Sequence, residues 1–82
     1  MIHCIRFDDV VAYLVRLGFE DLGEAGEAHV FEYLGRPGGL PEYCSIHLPN
    51  HRGMVTELSV DDSFHQARVP MPSPTFDTDW CD

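Results

Sequence analysis

Lysine is absent from the 82 residues, and five arginines are the only side chains that are always positive: Arg6, Arg16, Arg36, Arg52 and Arg68. Fourteen carboxylates oppose them, for a formal charge of −9. Proteins that grip phosphate backbones neutralise phosphates with Lys and Arg and release the counterions. Scattered arginines in an acidic chain therefore disfavour RNA or DNA as a tightly held partner. They favour a basic protein surface, or a role in imitating a polyanion. Long apolar runs are missing too: no stretch approaches the ~20 residues that span a bilayer, so no membrane partner is expected. The N-terminus Met1-Ile2-His3-Cys4-Ile5-Arg6-Phe7-Asp8-Asp9 carries charge early and lacks the apolar core of a secretory leader. Cysteine is sparse, with Cys4, Cys44 and Cys81 forming an odd number without a CxxC spacing. That pattern predicts reduced thiols and a cytoplasmic setting rather than a disulfide framework.

What is present suffices for one small domain, since 44% of the residues are hydrophobic. Asp8 to Leu17 predicts a helix. Asp8 stands as its cap, Asp9 suits the positive end of the dipole, and Phe7 is placed to staple onto Ala12. Val10, Val11, Leu14 and Leu17 recur at the spacing of one buried face, and Gly18 supplies a left-handed end followed by Phe19. The period then shortens to two. Phe19 to Leu22 reads as a short strand, Gly23 to Gly26 as a turn, and Ala28 to Leu34 as a second strand. The stretch from Gly35 to Pro41 is punctuated by Gly and Pro and reads as a loop. Glu42 to Leu48 makes a third strand, ended by Pro49 to Gly53. Met54 to Leu58 either prolongs the sheet or crosses it. Ser59 caps a second helix carrying Val60, Phe64 and Ala67, which Pro70 ends.

The expected architecture is α+β in the order αβββα, a three-stranded antiparallel sheet with two helices on one face. Residues 1–70 form the domain, and residues 71–82 a Pro-rich acidic tail. In this reading Val30 and Ile46 lie beneath the helices. His29, Phe31, Tyr33, Tyr43, Ser45 and His47 occupy the open side, where an aromatic and histidine face would meet a ligand.

Four segments carry a family resemblance: Leu17-Gly18-Phe19-Glu20, Gly26-Glu27-Ala28-His29-Val30-Phe31, Ile46-His47-Leu48-Pro49-Asn50-His51 and Gln66-Ala67-Arg68-Val69-Pro70. Over about residues 8–70 the chain resembles the HicA (YcfA-like) family of toxins. That resemblance implies a fold akin to double-stranded-RNA-binding domains and a metal-independent endoribonuclease without cofactor, held inactive by a protein antitoxin. It makes His29 the catalytic residue and His51 a second candidate in the same cleft. An imidazole titrates near neutrality and can take or return the proton of a 2′-hydroxyl. Gly26 would let the backbone approach a phosphate, Arg52 would face its charge, and Tyr33, Tyr43 and His47 would line the substrate surface. The same His29 ring can instead serve packing, paired with Tyr43 or Tyr33.

Other chemistries find less support. Cys44, His47 and His51 are spaced as C-x2-H-x3-H, but positions 44 and 47 of a strand face opposite ways, so no metal site is predicted and Cys44 reads as core. Asp8/Asp9 and Asp61/Asp62 suit helix N-termini better than acid/base dyads. In the tail, Phe76 and Trp80 alternate with Asp77, Asp79 and Asp82, a pattern suited to anchoring in a basic groove of a partner. Two functions follow: a HicA-like toxin that cleaves RNA, or a non-enzymatic acidic protein, for example a phage-type inhibitor, that blocks a nucleic-acid site on a host protein. Neither fixes the oligomeric state.

Overall fold

The computed structural model describes residues 2–33 and 44–81. Its elements run β1 (Ile2–Arg6), α1 (Phe7–Leu17), β2 (Glu20–Ala25), β3 (Ala28–Tyr33), β4 (Cys44–Leu48), β5 (Met54–Thr56), α2 (Glu57–Ala67) and β6 (Thr78–Cys81). This is an α+β fold. The αβββα order is present in α1, β2, β3, β4 and α2, and a second antiparallel sheet joins it. One sheet is ordered β2-β3-β4 and the other β5-β1-β6.

Helix α1 starts one residue earlier than expected, at Phe7. Its N-cap, Arg6, makes no side-chain cap bond. The exposed amide of Phe7 is satisfied instead by the carbonyl of Gly53 at 2.9 Å, so a distant turn replaces the Asp8 cap. Asp8 and Asp9 remain in the first turn, where the dipole favours them. The Phe7 ring packs on His29 and Phe31 of β3, and Ala12, its expected staple partner, is exposed. The other end follows expectation. Gly18 is left-handed (φ 106°), and the Phe19 amide reaches back to the Leu14 carbonyl at 2.9 Å. Helix α2 starts two residues before Ser59 and is capped by Thr56, whose hydroxyl accepts from the Ser59 amide at 3.2 Å.

Strand β2 is longer than expected, and the turn shrinks to two residues between the paired Ala25 and Ala28. Gly26, at φ 67°, opens that turn in a conformation side chains disfavour. The register of β3 against β4 pairs His29 with Leu48, Phe31 with Ile46 and Tyr33 with Cys44. Directly opposed residues share a face. Ile46, Leu48 and Cys44 point into the core, so Phe31 and Tyr33 point there as well. Only the β3 half of the expected open face is therefore inverted: Phe31 and Tyr33 turn inward, Tyr33 at 1% exposed, and Val30 takes the outer side opposite His47, while Ser45 and His47 lie outside and Ile46 inside as expected.

One hydrophobic cluster unites both helices with both sheets. Val10 and Leu14 of α1, Val60 and Phe64 of α2, Phe31 and Ile46 of one sheet, and Ile5 and Val55 of the other all join it. The described part of the expected tail, residues 71–81, packs and pairs with the rest of the chain. Met71 and Phe76 pack on the cluster, and Thr78–Cys81 pairs antiparallel with β1, setting Ile5 against Thr78 and His3 against Trp80. Cys4, buried in the middle strand, is disulfide-bonded, which corrects the expectation of three reduced thiols. Cys44 is a free thiol in the core, and burial pushes its pKa up. No helix among the described residues is long and apolar enough to cross a membrane.

Candidate functional site

A cleft of about 390 Å³ opens between the β2–β3 turn and the segment leaving β4. Gly26, His29, Asn50 and His51 line it together with Glu24 and Glu27. Three residues that the sequence nominated thus meet there, and they meet for local reasons. The tight turn lifts Gly26 to the rim, the register sets His29 beside the end of β4, and Pro49 carries the chain outward to His51.

The His29 ring sits at the edge of the core rather than on an open sheet. It is 15% exposed and lies between Phe7 and Phe31, each with its centroid 4.9 Å away. Its Nε2 meets Asp21 Oδ1 at 2.5 Å, and its Nδ1 is buried without a hydrogen-bond partner. The described partner is not Tyr33, one of the two expected for a packing role, but Asp21. That carboxylate oxygen also accepts the Gly23 amide at 2.9 Å. Both contacts depend on a register shift between Asp21 and Gly23. Partial burial pushes the Asp21 carboxyl up. The hydrogen bonds from His29 and the Gly23 amide, with the charge of the imidazole, outweigh burial and hold it below its ordinary value.

This geometry limits what His29 can do. A general base needs a ring nitrogen facing the proton it takes. One nitrogen of His29 is held by Asp21 and the other is enclosed. The ring pins β2 to β3 at the bulge. Asp21 is the residue that sequence reading missed. Its signal was the spacing Asp21-Leu22-Gly23, in which an Asp carboxylate turns back to the amide two residues on.

The other nominated residues disperse. His51 is exposed on the cleft. Arg52 is exposed next to it but lines a second cleft, which shares Pro49 and His51 with the first. Tyr33 is sealed against Phe19, with ring centroids 5.4 Å apart, and offers no surface to a substrate. Tyr43 lies outside the described residues. His47 is exposed on the outer face, away from the cleft, and its carbonyl accepts the Ser63 hydroxyl at 3.4 Å. Cys44 is buried and His47 exposed, so these two do not converge on one ion.

Of the two tail anchors, Phe76 is used internally, edge-on to Tyr13 with centroids 5.5 Å apart. Tyr13 itself donates to the Pro70 carbonyl at 2.5 Å. Burial raises its pKa against the lowering effect of nearby Arg16. Trp80 remains 57% exposed, its ring edge-to-face with His3 at 4.1 Å. The carboxylates face outward: every described Asp and Glu is exposed except the half-buried Glu32. Asp9, Asp77 and Asp79 gather around a further cleft of about 360 Å³ that also touches Arg6. In comparisons with family models, curated proteins and solved structures, nothing matches the chain.

Proposed function

We propose that this chain is a non-catalytic acidic binding module that docks on a basic surface of a partner protein, of the kind that otherwise meets nucleic acid. The observation that carries the reading is the outward display of carboxylates in a chain without lysine. Such a field speeds encounter with a positive partner and repels phosphate backbones. The enclosed nitrogens of His29 support it, because they leave the nominated catalytic group without a free atom. Capture from a bacterial lysate, followed by titration of the purified partner, tests it. Basic nucleic-acid-binding proteins should be retained, and affinity should fall by an order of magnitude or more as salt rises from about 50 to 200 mM. Binding that is indifferent to salt, or partners that are acidic, would refute it.

A cytoplasmic setting belongs to the same reading. It requires that the disulfide of Cys4 persist in a compartment that keeps most thiols reduced.

A second reading keeps the resemblance to HicA toxins, with RNA as substrate and an antitoxin as partner. Its support is the meeting of Gly26, His29 and His51 in one cleft on an αβββα scaffold. Because His51 is exposed, His51→Ala leaves packing intact and tests chemistry cleanly. Induced expression that arrests growth and degrades transcripts, with both effects lost in His51→Ala and His29→Ala, would favour this reading over the first. Unchanged growth and intact transcripts with the parent chain would eliminate it.

A further inference from the structure

The turn from β4 to β5 holds a residue that its backbone does not want. His51 and Met54 exchange both backbone hydrogen bonds, at 2.9 and 3.0 Å, so Arg52 and Gly53 form a two-residue turn. Both have positive φ, 55° and 81°. A turn with both central residues left-handed favours Asn followed by Gly. Gly53 meets that preference, and Asn50 secures it by accepting the Gly53 amide at 2.9 Å. Arg52 does not, since left-handed backbone costs a side chain such as Arg on the order of 1 kcal/mol. The only other described non-glycine residue with positive φ is Arg68, where the left-handed form is the ordinary end of a helix. Local structure thus explains Arg68 and leaves Arg52 unexplained.

Arg52 borders a cleft of about 350 Å³, within the range of about 300–1,000 Å³ typical of small-ligand sites. Ile2, Met54 and Val55 supply apolar wall, and His51 stands beside Arg52 at the margin. In a chain with so many carboxylates, no described Asp or Glu lines this cleft. Thr56 and Ser59, also on its border, are committed to each other, hydroxyl to hydroxyl at 2.7 Å. Among the described residues Arg52 is therefore its one permanent charge, set against an apolar wall.

We propose that this cleft binds a small apolar anion, an aliphatic or aromatic body ending in a carboxylate. The guanidinium of Arg52 takes the carboxylate, and Ile2, Met54 and Val55 cover the body. Strain in the turn is then tolerated because it places the cation at the mouth of an acid-free apolar pocket. The inference stands apart from the protein-docking reading and uses different residues.

Octanoate, octanamide and acetate titrated into the full chain, followed by amide chemical shifts, test it. Octanoate should saturate, with shifts centred on Ile2, residues 52–56 and Ser59. It should bind about tenfold or more tightly than octanamide, because only it can form the charge-assisted pair. Acetate should leave those amides unmoved. Arg52→Asn supplies the residue that the turn prefers, so its melting temperature should match or exceed the parent's while the advantage of octanoate over octanamide disappears. Unsaturated shifts scattered over exposed Val15, Leu22 and Leu58 would overturn the proposal. So would an Arg52→Asn chain that still prefers octanoate.

Discussion

The two sheets each hold three antiparallel strands, but different parts of the chain close them. In β2-β3-β4 the strands follow one another, and β2 turns into β3 through two residues. In β5-β1-β6 the central strand is the N-terminal one, flanked by a short strand before α2 and by the last strand, so Ile5 pairs with both Val55 and Thr78. Closing such distant pairings costs chain entropy that local hairpins largely avoid. The sheet of remote strands contains the disulfide-bonded Cys4, and a covalent link is most useful where closure is most costly. The local sheet instead contains the most buried aromatic pair, Phe31 and Tyr33. Both sheets share one core, and the remote sheet adds a covalent link at Cys4.

Four measurements would break or sharpen that contrast. Phe31→Ala should remove about 3–5 kcal/mol from unfolding in denaturant, because the site is fully enclosed and cannot refill. A loss under about 1 kcal/mol would mean that the local sheet does not depend on its core.

Cys4→Ala, or reduction of the parent chain, should cost about 2–4 kcal/mol. Amide exchange should rise in β1 and β6 well before it rises in β3. Equal loosening of both sheets would erase the distinction between them.

Thr56→Ala removes the cap at the junction of β5 and α2 and should cost about 1 kcal/mol, read as a shift in denaturation midpoint.

The smallest effect concerns Asp21. Its folded pKa lies below the ordinary aspartate value of about 3.9, so its stabilisation is complete above that value. It is lost as pH falls through the folded pKa. Asp21→Asn should flatten the acid limb of the stability profile and leave the slope near neutrality unchanged. An unaltered acid limb would mean that the contact with His29 carries no linkage.

Legibility differed along the chain for physical reasons. The end of α1 was readable because Gly18 and Phe19 act within one turn of the helix they terminate. Its start was not, since the amide of Phe7 is satisfied by Gly53, far away in sequence. Strands β1 and β6 are short and lack a distinctive alternation, and their pairings are remote: β6 lies on β1, and β1 lies between β5 and β6. At the candidate site, Gly26, His29 and His51 were chosen correctly as neighbours. The enclosure of His29 was not legible, because the side of the sheet on which it lies depends on how β3 registers with β4. Tyr33 and Phe76, nominated as contacts for outside molecules, were instead taken up by the protein's own core.

Composition and local pattern were enough to establish an acidic α+β chain, its two helices, the central three strands and the glycine turn beside His29. Period-two alternation tells which residues share a face of a strand but not which face turns inward. That phase was decided when Phe31 met Ile46, and with it the enclosure of His29 against Asp21. The joining of the two chain ends into a second sheet was likewise a tertiary outcome. Backbone groups of an edge strand find partners wherever the packed core brings another strand alongside, and neither terminus encodes that meeting alone.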